Sequence, residues 1–378
     1  MTRLFDCWRL PGRLAGLTLA ALSLGCDPAP PAARTADLAL LAESAAGFAQ
    51  AQRDARLVFP RDHGEHPSFR IEWWYLTANL RDEGGRAFGA QWTLFRFAVQ
   101  PPTLRASDNP WQSGQVFMAH LAITSPDDHV SFQRYARGGD HQGARQAGAT
   151  SAPFAAWLDD WSLASTGTDW LPLELRAAQG AFGVELQLQG NGPLVLQGEA
   201  GFSQKHADGG GSHYYSQPFL ELSGSVRWAG ESIAVSGQGW LDREWSSQFL
   251  QPDQSGWDWF ALHLDSGEKL MLFRLRSRAA GEDYRHAVLI AADGEKRALD
   301  PARVRLVVLE EASVAGRKLP LHWRIELPEV ERVLRVDALH DDQWLNVDFP
   351  YWEGAVTVTG ASPGENGVGY LELTGYAP

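Results

Sequence analysis

The chemistry in this sequence concentrates where carboxylates stand among large aromatic rings. Trp240-Leu241-Asp242-Arg243-Glu244-Trp245 is one such run and Glu72-Trp73-Trp74-Tyr75 is another. Alternation along a strand puts Trp240, Asp242 and Glu244 on one face. A carboxyl kept neutral by apolar surroundings can protonate an unactivated double bond, and aromatic faces can stabilise the resulting cation. Glu244, two residues on, raises the affinity of Asp242 for its proton if both face one cleft, and two carboxyls are also the minimum for hydrolysis by an acid and a base. Asp242 is therefore the candidate catalytic acid. Trp240, Glu244, Glu72, Trp74 and Tyr75 are candidates for the wall of an apolar substrate pocket. The competing reading makes these carboxylates ion-pair partners: Asp242 and Glu244 with Arg243, Arg96 or Arg274, and Glu72 with Arg96.

Other polar residues carry weaker signals. His120 reads as a satisfied core histidine. His63 and His66 share a loop with Asp62 and Glu65, a pattern more often solvated than metal-binding. No Gly-x-Ser-x-Gly elbow, phosphate-binding loop, His-Glu-x-x-His or dinucleotide fingerprint is present, so neither a metal nor a nucleotide or redox cofactor is expected.

The elements that must position these residues follow a period of two from Leu57 onward. Ile71–Leu80, Gln91–Val99, Val116–Thr124, Val184–Gln189, Leu220–Trp228, Ile233–Gly239, Trp257–Leu264, Lys269–Arg276, Val304–Leu309, Leu321–Leu327, Trp344–Val347 and Gly369–Gly375 alternate or are rich in β-formers. Turn clusters such as Asp82-Glu83-Gly84-Gly85 and Asp265-Ser266-Gly267 separate them. Helical patterns do not intervene regularly, which argues against βαβ folds. Closing into barrels removes exposed sheet edges. The reading is all-β: two tandem lipocalin-like (calycin) antiparallel β-barrels, residues 57–245 and 246–378, after a signal peptide and a short linker.

That leader occupies residues 1–25. Arg3, Arg9 and Arg13 precede the apolar run Leu14–Gly25, and Cys26 follows directly. The run is too short to span a membrane and ends like a lipoprotein signal, which makes Cys26 the expected lipidation site. Removing residues 1–25, with three arginines and Asp6, takes the formal charge from −13 to −15. An acidic chain without a basic block argues against nucleic acid and against electrostatic docking on anionic lipid. Membrane association must then come from acyl chains on Cys26. Cys7 leaves with the leader, so no disulfide or thiolate site is expected. Residues 26–56 read as a Pro/Ala-rich tether and a short helix capped by Thr35, with Leu38, Leu41, Ala45 and Phe48 on one face.

Several words taken together carry a resemblance. Phe59-Pro60-Arg61-Asp62-His63-Gly64, Glu72-Trp73-Trp74-Tyr75, Met118-Ala119-His120, Trp157-Leu158-Asp159-Asp160-Trp161, His213-Tyr214-Tyr215-Ser216, the Trp240–Trp245 run, Gly256-Trp257-Asp258-Trp259-Phe260 and Gly369–Tyr376 occur in an order that resembles the carotenoid 1,2-hydratase-like superfamily. The nearest branch is that of secreted AttH-like proteins, often called predicted hydrolases. The resemblance covers Leu57 to Pro378 and implies a cleft where two barrels meet. It also implies that Asp242 is the acid, with His213 a catalytic partner and Trp240 and Tyr215 lining the same pocket. Trp240 and Tyr215 stand where the hydratases carry Tyr and Trp, so the substrate and reaction remain open.

Three readings follow. The first is an envelope enzyme, a hydro-lyase or hydrolase, acting on an isoprenoid or acyl lipid by hydration, isomerisation or hydrolysis through Asp242. The second is a non-catalytic lipid carrier or accessory to an export transporter. The third is a glycan-binding module. Asp27 after Cys26 favours retention at the periplasmic face of the inner membrane of a bacterial envelope. In cells fed a tagged fatty acid, the protein is expected to label and sediment with membranes, and Cys26→Ser to do neither; a labelled Cys26→Ser protein would contradict this assignment.

Overall fold

The computed structural model describes residues 46–104, 113–138, 146–278 and 282–377. Cys26 and most of the expected tether and helix lie outside these residues. Ala46–Phe48, within them, form turn.

The described chain is all-β and antiparallel, folded as two curled, nearly closed sheets. Among the described residues, helix is confined to short 3-10 turns such as Arg61–His63 and Pro328–Val330. The first sheet has 13 strands, and its continuous path runs His129–Arg137, Gln115–Thr124, Ala87–Ala98, Ile71–Asp82, Glu231–Ser246, Gly211–Trp228, Phe182–Gly190, Leu173–Gln179, Trp161–Ser165, Phe154–Leu158 and Ala147–Ser151. The second has 10 strands. Its path runs Lys296–Leu299, Tyr284–Ile290, Lys269–Ser277, Gln254–Leu264, Gly367–Leu373, Tyr351–Thr359, Arg332–Ala338, Arg317–Leu327 and Arg305–Val314.

The period-two segments become strands, but several strands had no such signal. Ala147–Ser151, Phe154–Leu158 and Trp161–Ser165 are five residues each, too short for alternation to register. The two strands around Asp242 are much longer than the alternation suggested, at 18 and 16 residues. They form one hairpin whose turn, Ala229-Gly230, has positive φ at both positions (52° and 90°), the turn hand that matches the twist of paired strands.

Each curled sheet is filled by its own side chains. Trp92, Leu121, Trp161, Leu163 and Leu188 pack inside the first, and Leu319, Leu321, Trp323, Leu334 and Trp352 inside the second. A third apolar cluster lies between the sheets and joins Tyr75, Tyr214 and Trp240 of the first to Trp259, Phe273 and Tyr370 of the second. Polar contacts cross the same joint, among them Asn79 Nδ2 to Gly369 O (2.9 Å) and Gln254 Nε2 to Lys205 O (3.0 Å). Backbone approach is so close at Gly89 that a Cβ there would lie 2.7 Å from Ala355 Cβ and 2.8 Å from the Tyr370 hydroxyl.

A buried ion network fastens the segment after residue 60 to the first sheet. Glu72 is fully buried and bonds both the Arg96 and Arg243 guanidiniums, while both its oxygens accept from the His66 backbone N–H (2.9 and 3.0 Å). Arg96 donates onward to the His66 and Phe69 carbonyls, and Arg243 to that of Gly64 while its guanidinium lies 4.0 Å from the Trp74 ring centre. Burial alone would push the Glu72 carboxyl up, but the two arginines hold it well below the usual range. Removing its charge strands two buried cations. Glu72→Gln is expected to cost about 3–5 kcal/mol in urea unfolding, whereas a loss below about 0.5 kcal/mol, ordinary for a surface change, would show the network to be dispensable.

Candidate functional site

The site is organised by an irregularity in the long hairpin. Counting back from the Ala229-Gly230 turn, regular pairing would set Asp242 opposite Gln217 and so put His213 and Tyr215 on its face. Between Gln217 and Leu220, however, Pro218 and Phe219 face the single residue Trp240, and pairing resumes one step out of phase with Ser216 opposite Asp242. Such a bulge re-aims every side chain beyond it. Ser212, Tyr214 and Ser216, rather than His213 and Tyr215, therefore share the Asp242 face.

These neighbours hold Asp242 tightly. Its Oδ1 accepts from Trp240 Nε1 (2.7 Å) and from the Ser216 hydroxyl (2.5 Å), and its Oδ2 from the Tyr214 hydroxyl (2.6 Å). Burial pushes the carboxyl up to about 7, against the three donors, which favour the charged form, and Glu244 adds to the rise. Glu244 is itself paired: Lys205 Nζ lies 2.9 Å from its Oε1, which also accepts from the Ser212 hydroxyl. The Lys205 ammonium is enclosed by rings, 4.2 Å from the Phe273 centroid and 5.0 Å from that of Tyr214.

Asp242 and Glu244 open onto a cavity of about 450 Å³ between the two sheets. Trp73, Phe95, Trp257, Trp259 and Phe273 supply much of its apolar wall. Two further carboxyls enter from the second sheet. Glu353 and Glu372 face each other across neighbouring strands, and Tyr75 donates to Glu353 Oε1 (2.5 Å). Burial, then the charge of its partner, pushes Glu353 well up; burial, opposed by Trp257 and aided by Asp242 and Glu244, takes Glu372 to about 8. His120 also borders the cavity, with Nδ1 2.9 Å from the Tyr351 hydroxyl, and burial takes it down to about 3.

The remaining sequence candidates lie elsewhere. His213 and Tyr215 are corrected from pocket residues to the opposite face, where Tyr215 OH meets His63 Nδ1 (2.7 Å) and His213 packs against Phe69 and Trp245. The bulge is the physical reason. Glu72 and Trp74 also face away from the cavity, Glu72 into the ion network and Trp74 into the first core. Tyr75 and Glu244 do line the cavity, whereas Trp240 stands behind Asp242 without bordering it. His63 is buried and stacks on Trp170 (3.7 Å), and the partly exposed His66 stacks on Trp245 (3.9 Å). Among the described residues, no group of three or more His, Cys, Asp or Glu is arranged to hold a metal.

Sequence reasoning missed Tyr214, Ser216, Lys205, Glu353 and Glu372 as site residues. Tyr214 and Ser216 stand in a quoted word and were lost to the bulge. Glu372 also stands in one, Gly369–Tyr376, and Tyr351-Trp352-Glu353 repeats the pattern of a carboxylate beside aromatics.

An AttH-like family model matches residues 50–376. The crystal structure of an AttH protein from Nitrosomonas europaea is 35% identical, superposes with a TM-score of 0.76, and is covered over 100% of its length by 87% of this chain. The chain belongs to the AttH-like family. The fold is also that of kievitone hydratase from Nectria haematococca (18% identity, TM-score 0.62, covering 88% of this chain and 98% of that one) and of CghA crystallised with Sch210972 (13%, 0.51, 81% and 88%). Among proteins of curated function, none matches the chain.

The Asp242 environment sets a pH dependence whose sign is fixed. In the unfolded chain the carboxyl ionises near 3.8, in the folded one near 7, so between these values only the unfolded state gains by releasing the proton. The contribution of Asp242 to stability therefore falls as pH rises from about 4 to 7, by about 4 kcal/mol at 1.4 kcal/mol per unit. Asp242→Asn is expected to gain stability over the parent across that window, measured by urea unfolding at several pH values; a constant difference would show that Asp242 is ionised in the fold.

Proposed function

We propose that this AttH-like protein binds an apolar isoprenoid or acyl compound in the cavity between its sheets and hydrates a double bond in it, with Asp242 as the acid. The observation that carries the reading is a carboxyl in the wall of an aromatic-lined cavity with no cation bonded to it, so that it keeps a proton to give near neutral pH. In the step proposed, the Asp242 proton forms a bond to one alkene carbon and the positive charge moves to the other, facing rings such as Trp73, Phe95 and Trp257. The oxygen of water then bonds the cationic carbon, and its released proton returns to the Asp242 carboxylate. Atoms balance as addition of one water, with no cofactor drawn in.

Tyr214 would hold the acid in place and Trp240 would brace it from behind, so Trp240 is a positioning residue rather than part of the wall. That a hydratase shares the fold supports the reaction class. Isomerisation would follow the same first step if the cation lost a proton instead. Hydrolysis is the weaker alternative, since Glu244 is bonded to Lys205 and is less free to act as the base. We further propose that the protein works at the periplasmic face of the inner membrane, anchored through Cys26, which would place the cavity near membrane-derived apolar compounds.

Incubation with a panel of isoprenoid alkenes in deuterated water tests the reaction. The expected product has gained one water, with deuterium bound to carbon, and Asp242→Asn is expected to lower its formation at least about 100-fold, the lower range for a positioned acid, while still binding the alkene. Equal turnover by Asp242→Asn would overturn the role of Asp242. Binding without turnover by either protein would favour the carrier or export-accessory reading.

A further inference from the structure

Among the described residues, Glu353 is the buried carboxyl with a fully enclosed oxygen that lacks a hydrogen-bond partner of good geometry. It is 1% exposed, its Oε1 accepts from Tyr75, and its Oε2 makes no hydrogen bond of good geometry, the Tyr351 hydroxyl standing near the carboxyl. Asp242, by comparison, has donors on both oxygens. Glu353 lies opposite Glu372 in register, and both border the cavity. Among the described residues no ion pair involves either of them; Lys205, which also borders the cavity, is bonded to Glu244.

Two facing carboxyls without a cation cannot both ionise in an apolar wall. Burial raises both, aided at Glu353 by the charge of Glu372 and at Glu372 by those of Asp242 and Glu244, so that Glu353 is pushed well up and Glu372 to about 8. Tyr75 already donates to Oε1, so the free proton position of Glu353 is on Oε2. A buried donor without a well-placed acceptor is costly, and a ligand in the cavity that Glu353 borders is positioned to supply one.

We propose that the ligand carries a neutral oxygen acceptor, a carbonyl being the best fit, and that Glu353, paired with Glu372, donates a hydrogen bond to that oxygen from Oε2. This deepens the proposed function, on which it rests for the cavity being the ligand site. The ligand is then not a pure hydrocarbon but an apolar molecule with one oxygen function, held at Glu353 while another part of it reaches Asp242. A carboxylate-bearing ligand would bring a further negative charge among four carboxyls, only one of which has a cation bonded to it. An amine-bearing one would require the pair to give up a proton.

Probes that share one isoprenoid skeleton separate these cases. Tryptophan fluorescence titrations of the intact protein with farnesene, farnesal and farnesylamine at neutral pH are expected to show farnesal binding about tenfold more tightly than farnesene, the gain from one hydrogen bond. Glu353→Gln keeps an acceptor for Tyr75 and an N–H donor toward the cavity, so it should retain the preference without any ionisable proton. Glu353→Met should bring the ratio to about one. Equal binding of farnesal and farnesene by the unaltered protein, or a preference that survives Glu353→Met, would overturn the proposal while leaving the apolar cavity reading intact. Tightest binding of farnesylamine would overturn it in favour of an ionised pair that takes cations. Binding of none of the three would remove the ligand reading of the cavity, and this proposal with it.

Discussion

A carboxylate taken out of water must either meet a cation or keep its proton, and this chain does both within one pair of neighbouring strands. Glu72 and Asp242 lie on adjacent, directly paired strands, Ile71–Asp82 and Glu231–Ser246, and are both buried. Glu72 faces one side, where Arg96 and Arg243 neutralise it and lock it charged. Asp242 faces the other, where it finds only neutral donors. The first arrangement fastens the polypeptide to the sheet, and the second stores a proton at a cavity.

That division gives the two faces of the strands different roles. Each curled sheet fills its own interior with side chains, so the space for a ligand lies between the sheets rather than inside either one. Four carboxyls converge there from three strands, and among the described residues only Glu244 of the four has a cation bonded to it. Aromatic rings from both sheets line much of the remaining wall, which suits an apolar guest and a transient positive charge. A cavity built from both sheets also makes its chemistry depend on their close approach, which the absence of a side chain at Gly89 permits.

Much of this was legible in the residues, because the relevant signals were local. Period-two alternation marks an all-β chain, and the carboxylates set among the rings of Trp240–Trp245 mark Asp242. The same local logic failed at Pro218-Phe219, where one extra residue inverts the phase of the strand beyond it and exchanges His213 and Tyr215 for Tyr214 and Ser216. A bulge leaves little trace in alternation, although a proline within an apparent strand is a hint. Glu353 and Glu372 were missed for a different reason: nothing in their local sequence says that they will meet each other, and only the pairing of the last two long strands brings them together. Glu72 carried two readings, a pocket wall and the weightier one of an ion pair with Arg96, and Arg96 and Arg243 both pair with it.

The protonation of Asp242 decides whether this residue stores a proton at the cavity or is a structural anchor. Its side-chain carboxyl can be followed by carbon-13 NMR across pH, with the resonance assigned by its loss in Asp242→Asn. A midpoint near 7 is the expected result, leaving a proton available for donation in neutral solution. A midpoint near 4, the value of an ordinary aspartate, would mean that the three hydrogen bonds outweigh burial and that Asp242 is an ionised structural anchor.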